Sequence, residues 1–98
     1  MTSHIQRVNL DVLKPHAPSI VELANRLCLL DRVLRVNITV IEMDANTETL
    51  KAEIIGDGFD FQLIQTEIDA VGATIHSIDQ VSASRTVPSI SDPIEERA

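Results

Sequence analysis

The chain has few aromatic residues and little cysteine. Among its 98 residues there is no tryptophan or tyrosine, and Phe59 and Phe61 are the only aromatic side chains. The core must therefore be aliphatic, and the aromatic rings on which RNA-binding sheets stack bases are missing. The single cysteine, Cys28, excludes an internal disulfide framework.

Positive charge is also scarce. Eight Lys and Arg residues stand against fifteen Asp and Glu residues, which gives a net charge of −7. Because nucleic acids and anionic membranes bind clustered basic residues, we expect neither as a partner. The sequence contains no apolar run near the roughly 20 residues of a membrane span and no signal-peptide pattern at its N-terminus. These absences favour a soluble, cytoplasmic protein.

The length and composition suit one small folded domain. Hydrophobic residues make up 44% of the chain, which is too high for a disordered protein. From residue 85 onward Pro88, Pro93, serines and charged residues predominate. We therefore predict a single domain over residues 1–84 and a disordered C-terminal tail over residues 85–98.

Four segments have the composition and spacing of β-strands. Their apolar residues alternate with polar ones, which is the period of a half-buried strand. The last segment breaks this period at Ile75, Ile78 and Val81, and the break predicts a β-bulge. The four segments are residues 5–13, residues 33–43, the residues around Leu50–Ile54, and residues 73–84.

Two further segments have helical spacing. Ser19 with Glu22 predicts a capping box at the start of the first helix, and Asp60 predicts the N-cap of the second. Gly72 suits the left-handed position after the second helix. Cys28 is placed on the buried side of the first helix, so we expect a core thiol. The apolar stripes contain Ile20, Leu23, Ala24, Leu27 and Leu30 or Cys28 in one helix, and Phe61, Ile64, Ile68 and Val71 in the other.

The predicted order of elements is βαββαβ. Two βαβ units with right-handed crossovers form the split βαβ plait. We therefore predict an α+β, ferredoxin-like fold with a four-stranded antiparallel sheet in the order 4-1-3-2 and both helices on one face.

Several blocks of this sequence resemble the archaeal-type domain of unknown function 211 family. The resemblance covers roughly residues 5–83, and its most specific blocks surround His16 and His76. It implies a ferredoxin-like fold and a multimeric, ring-like assembly, and it implies no established activity. The matching blocks are Leu10–His16, Pro18–Ala24, Val36–Val40 and Ile75–Val81.

Oxygen and imidazole groups collect near the ends of three predicted strands. Calcium takes six to eight oxygen ligands, whereas zinc prefers histidine. These groups predict a site for a metal ion or an anion, with a divalent cation such as calcium as one candidate, although the spacing matches no established metal motif. The alternative is that they are surface and turn residues with local hydrogen bonds. The candidate metal ligands are Asp11, His16, Glu42, Asp44, His76 and Asp79.

The sheet face away from the helices is the second candidate site. A plait leaves this face bare unless a ligand, a partner or another copy covers it. Lys51 and Glu53 are expected there, and the alternative is a mixed, solvated surface. The candidate ligand-binding residues are Asn9, Asn37 and Thr39 on this face, together with Lys14 at the exit of the first strand.

The second strand predicts self-association. It is long and apolar, contains neither proline nor lysine, and is placed at the edge of the sheet. Pairing with another subunit would satisfy its free backbone groups. A bulge near Glu42 or cover by the C-terminal tail would protect the edge instead.

Three function classes follow from these features. The preferred one is an oligomeric binding or regulatory module with a small ligand or divalent cation between subunits. The alternative is a structural or protein-interaction module that docks another protein through its assembly or through its tail, in which Asp92–Glu96 would be a short recognition segment. We do not expect an enzyme. Two histidines and some carboxylates could provide an acid and a base, but nothing in their spacing compels that role, and a plait of 98 residues offers little cleft within one subunit.

Overall fold

The fold is the predicted α+β plait. The computed structural model describes residues 2–86, and its sheet is antiparallel throughout with the order β2-β3-β1-β4. This order is the predicted 4-1-3-2 read from the other edge. The elements are β1 (Thr2–Pro15), α1 (Ile20–Cys28), β2 (Val33–Met43), β3 (Thr47–Gly56), α2 (Phe61–Ala70) and β4 (Thr74–Thr86).

The core lies between the two helices and the two central strands. Alternate side chains of β1 and β3 point toward the helices and are at most 2% exposed. Burying a side chain of this kind contributes about 1.5–3 kcal/mol, so these aliphatic rows hold the layers together in place of aromatic residues. The rows are Val8, Leu10 and Val12 on β1, and Leu50, Ala52 and Ile54 on β3; they pack with Leu23, Leu27, Ile64 and Ile68 of the helices.

The helix ends follow the predicted capping residues. The Ser19 hydroxyl accepts a hydrogen bond from the backbone N–H of Glu22 at 3.2 Å. The Asp60 carboxylate accepts one from the N–H of Gln62 at 2.9 Å. Gly72 has a φ of +80°, a left-handed conformation that glycine adopts without strain. The side chains of Ser19 and Asp60 thus satisfy backbone N–H donors and fix the first residue of each helix.

The prediction of a core thiol at Cys28 is wrong. Cys28 is the last residue of α1, and it is exposed. Leu23 and Leu27 are the fully buried residues of this helix, and position 28 lies about 100° around the axis from position 27. Leu30, which follows the helix, packs against the core instead.

The bulge predicted in β4 is confirmed, and there are two. Asn9 pairs with Gln80 and Leu10 with Ile78, which leaves Asp79 as an extra residue. Asp11 pairs with Ser77 and Val12 with Ile75, which leaves His76 as another. The bulges change which side chains of β4 point to each face of the sheet.

The strand β4 continues past the predicted end of the domain. Arg85 pairs with Ser3, and the ladder reaches Thr86. Residues 87–98 lie outside the described residues, and so does most of the segment for which disorder was predicted. Within residues 2–86, neither helix has the length and apolar character needed to cross a bilayer.

Candidate functional site

A polar depression lies on the sheet face away from the helices, which we call the open face. Its volume is about 320 Å³, within the range of small-ligand sites at its lower end. All four strands contribute to it, because outward-facing polar side chains of every strand lie at this level. Its polar lining residues are Asn9, Asn37, Thr39, Lys51, Glu53, Asp79 and Gln80.

Three of the four predicted ligand-binding residues meet in this depression. Asn9 and Asn37 both lie opposite Glu53, from β1 and β2 respectively. The Asn37 amide donates to Glu53 Oε1 at 3.0 Å, and the Asn9 amide donates to Gln80. Thr39 lies opposite Lys51. The side chains therefore form a connected polar surface rather than scattered groups.

An ion cluster, which we call the open cluster, lies beside this depression. It consists of Asp11, Lys51 and Asp79, with Ser77 as a neighbour. The ammonium of Lys51 is 2.7 Å from Asp11 Oδ1 and 2.8 Å from Asp79 Oδ2. The Ser77 hydroxyl is within 3.1 Å of Asp11 Oδ2 and 2.9 Å of Asp79 Oδ1.

The charges of the open cluster stabilise one another. The carboxylates of Asp11 and Asp79 raise the pKa of Lys51 well above its usual range. Lys51, followed by the Ser77 hydroxyl, lowers the pKa of Asp79. The ammonium of Lys51 thus occupies the position between two carboxylates that a bound cation would take.

A second ion cluster, which we call the closed cluster, lies at the end of the sheet under the β1–α1 loop. It consists of Lys14, Glu48 and His16. The Lys14 side chain is fully buried, and its ammonium is 3.0 Å from Glu48 Oε1. It also donates to the carbonyl oxygens of Pro15 at 2.7 Å, of His16 at 3.3 Å and of Pro18. Lys14 therefore holds the loop closed and is not on the open face.

His16 connects the closed cluster to the β2–β3 turn. Its Nδ1 is 3.1 Å from Glu48 Oε2, and its Nε2 is 2.9 Å from the carbonyl oxygen of Asp44 and 3.2 Å from that of Ala45. These bonds, the one to Glu48 first, raise the pKa of His16. Lys14 and then His16 lower the pKa of Glu48.

The carboxylate of Asp44 closes the same turn. It accepts hydrogen bonds from the backbone N–H of Asn46 at 2.9 Å and of Thr47 at 2.8 Å. These bonds lower the pKa of Asp44. Asp44 is therefore engaged as a turn residue, which is one of the roles that the sequence leaves open.

The six predicted metal ligands lie in separate places. Asp11 and Asp79 belong to the open cluster, whereas His16 and Asp44 lie at the closed cluster and the adjoining turn. Glu42 and His76 are exposed on β2 and β4. Across the described part of the chain, no three His, Cys, Asp or Glu side chains converge on a position for a metal ion.

The sequence prediction did not include Glu48, and it did not include the burial of Lys14. The signal for Lys14 is present, because it follows Leu10 and Val12 at a spacing of two and therefore points to the core side of β1. Glu48 is its direct cross-strand neighbour on β3. That pairing depends on the register between strands, which the alternation alone does not fix.

Large apolar side chains are exposed along both edges of the sheet. On β2, Leu34 is 71% exposed, Ile41 55% and Met43 59%. On β4, Ile78 is 51% exposed and Val81 53%. Exposed apolar rows at sheet edges are typical of surfaces that bind another chain.

The edge of β2 is partly protected. The register against β3 shifts between Val33 and Arg35 and again between Val40 and Glu42, so Leu34 and Ile41 are extra residues in bulges. The second bulge is at the position suggested as protection near Glu42. Between the bulges, residues 35–40 keep a regular ladder on one side and an unpaired edge on the other.

Fold and surface together define a small α+β domain whose polar chemistry lies on an open sheet rather than in a closed cleft. The chain belongs to the domain of unknown function 211 family, described as "Uncharacterized ArCR", whose family model matches residues 6–96. This match confirms the resemblance and extends beyond residue 83. "Uncharacterized protein MJ0319" of Methanocaldococcus jannaschii is 47% identical over 83 residues, which cover 85% of this chain and 86% of that protein.

Proposed function

We propose that this protein is a self-associating binding module that holds a small polar ligand on the open face of its sheet. The observation that carries the proposal is the polar depression, to which all four strands contribute amide, hydroxyl, ammonium and carboxylate groups. Polar groups that converge on one concave surface favour ligand recognition.

The charges of the open face favour a zwitterionic ligand. Lys51 is paired with Asp11 and Asp79, and Glu53 is paired with Arg7 at 3.2 Å. A ligand that bears an ammonium and a carboxylate can exchange partners with such pairs without leaving an unpaired charge. We therefore propose a small molecule of the α-amino acid type.

A divalent cation is a weaker candidate than a zwitterion. The Lys51 ammonium lies within 2.8 Å of both carboxylates that would bind calcium in the open cluster. Calcium would have to displace this ammonium, which then loses both of its ionic partners. Binding of calcium alone would therefore contradict the zwitterion version of the proposal.

Strand directions support association through the two edges. Because each neighbouring pair in the order β2-β3-β1-β4 is antiparallel, β2 and β4 run in opposite directions. The β4 edge of one copy can therefore continue as an antiparallel ladder along β2 of a second copy in the same orientation. Such head-to-tail contacts form a ring when the rotation between copies closes.

The apolar side chains on the two edges match in this arrangement. Ile78 and Val81 lie opposite Leu10 and Val8, so they face the helix side of the sheet. On β2 the helix side carries half-buried Val36, Ile38 and Val40. Pairing would bring these rows together, and it would place Asp79 and Gln80 of one copy beside Asn37 and Thr39 of the next.

We propose no catalytic role. Catalysis needs a nucleophile or base with an orienting partner in a concave site. Both ring nitrogens of His16 are engaged with Glu48 and the β2–β3 turn. The residues that line the open-face depression include neither histidine nor cysteine.

Nuclear magnetic resonance of the full chain tests the ligand. The chelator-treated protein is titrated separately with glycine, L-aspartate, L-lysine and calcium chloride while backbone and side-chain amide signals are recorded. We expect saturable shifts at Asn9, Asn37 and Gln80 with at least one of the amino acids. The proposal is contradicted if none of the three amino acids gives saturable shifts.

A matched pair of variants locates the binding. Asn37→Ala removes one amide from the open face, whereas Gln65→Ala removes an exposed amide from α2 on the other side of the sheet. Asn37→Ala should raise the dissociation constant of the ligand several-fold, as expected for the loss of a ligand hydrogen bond of about 1 kcal/mol. Gln65→Ala should leave it unchanged.

A further inference from the structure

His16 joins two segments that are distant in sequence. It lies just after β1, and its ring contacts both β3, through Glu48, and the turn at residues 44–46 that connects β2 to β3. The β1–α1 loop and the β2–β3 turn are therefore held together through one imidazole ring.

Both ring nitrogens of His16 face oxygen acceptors. Nδ1 is 3.1 Å from a carboxylate oxygen of Glu48, and Nε2 is 2.9 Å from the carbonyl oxygen of Asp44. A neutral imidazole has one N–H, so it can donate to only one of these oxygens. The imidazolium has two and satisfies both. Two oxygen acceptors at these distances therefore favour the doubly protonated ring.

The charges around His16 favour this form. Glu48 on β3 faces Nδ1, and Lys14 on β1 binds the other oxygen of the same carboxylate. Asp44 in the turn adds a second negative charge nearby, and its carboxylate is held by the backbone N–H groups of Asn46 and Thr47. With His16 protonated, two positive and two negative charges balance. Deprotonation leaves one net negative charge.

We propose that His16 is a pH-sensitive clasp that closes the β2–β3 turn onto the β1–α1 loop when its imidazole carries two protons. The bonds to Glu48 and Asp44 raise the pKa of His16 above 6.5, which moves its titration toward neutral pH. Below this pKa the clasp is closed. As the pH rises through it, one of the two contacts is lost and the turn loosens.

The clasp acts on one end of an exposed edge. The turn follows directly after Met43, which is 59% exposed at the end of β2, and the bulged residue Ile41 lies two positions before Met43. Protonation of His16 would therefore order this end of the edge strand. The inference goes beyond the proposed function and does not depend on it.

The experiment follows His16 and the turn in the same spectra. The imidazole carbon-bound proton signals of the full chain are titrated from pH 5 to pH 9. Hydrogen exchange of the Asp44 amide, which bonds the carbonyl oxygen of Thr47 at 3.0 Å, is measured over the same range and corrected for intrinsic rates. We expect a His16 midpoint above 6.5 and a fall in Asp44 protection of about fivefold to tenfold across that midpoint.

Three variants separate the clasp from a general effect of pH. Glu48→Gln should lower the His16 midpoint, and His16→Gln should give low protection at Asp44 that no longer depends on pH. His76→Gln, which changes an exposed histidine on β4, should behave like the native chain. If a variant fails to fold, the titration and hydrogen-exchange data of the native chain still test the clasp.

Two results would overturn the clasp. One is a His16 midpoint at or below 6.5 in the native chain, and the other is Asp44 protection that does not change across the His16 titration. Neither readout requires a ligand or an assembly. The clasp and the proposed function can therefore fail separately.

Discussion

The open and closed clusters use the same chemistry in opposite surroundings. In each, a lysine ammonium lies within 3.0 Å of a carboxylate. Lys14 is fully buried and saturated by backbone carbonyls, whereas Lys51 is half exposed beside a depression. Burial makes the first cluster part of the fold, and exposure leaves the ammonium of the second accessible to solvent.

The largest expected effect comes from the buried lysine. Lys14→Met leaves Glu48 without its ammonium partner and removes the donor to the carbonyls of Pro15, His16 and Pro18. We expect a loss of about 3–5 kcal/mol in the free energy of unfolding, measured by urea denaturation. Lys51→Met is the matched control, and it should cost clearly less. If Lys14→Met and Lys51→Met lose the same free energy of unfolding, the buried cluster contributes no more to stability than the exposed one.

A second substitution identifies the source of that loss. In Lys14→Met combined with Glu48→Leu, no carboxylate is left buried beside an apolar side chain. Removing both partners of a buried pair is less costly than removing one. The double variant should therefore be more stable than Lys14→Met alone in the same urea experiment. If adding Glu48→Leu lowers the stability further, the unpaired carboxylate of Glu48 is not the cause of the loss in Lys14→Met.

The pH dependence of the closed cluster has a defined sign. The pKa of Glu48 is lowered, so its contribution is present above its ordinary value of 4.5 and is lost as the pH falls through the folded-state pKa. The pKa of His16 is raised, so its contribution is present below 6.5 and is lost as the pH rises through the folded-state pKa. The difference in melting temperature between the native chain and His16→Gln should therefore be largest between pH 4.5 and pH 6.5. A difference that is constant from pH 4 to pH 9 would contradict this sign.

The smallest expected effect concerns the open cluster. Asp79→Asn removes one partner of Lys51, while Asp11 stays at 2.7 Å and solvent reaches the ammonium. We expect a smaller shift in melting temperature at pH 6 than for His16→Gln. The amide signals of the open face should change nonetheless. A larger stability loss than in His16→Gln would show that the open cluster is structural.

The sequence predicted the layers of the fold but not the partners of its charges. Strand alternation and capping residues such as Ser19 and Asp60 depend on residues close together in sequence. The strands and the helix starts can therefore be predicted from the sequence alone. The contact between Lys14 and Glu48 requires the register of β1 on β3. The position of Asp79 beside Lys51 depends on two bulges in β4, of which the sequence predicts one without its exact position.

We propose that copies of this chain associate through their sheet edges, and light scattering at micromolar concentration tests this association most directly. The native chain should have the mass of an oligomer, which is at least twice the 10.8 kDa of one chain. Val81→Lys, which puts a charge on the β4 edge, should lower that mass, whereas Gln65→Lys on α2 should not. A native mass of 10.8 kDa at every concentration would contradict the claim.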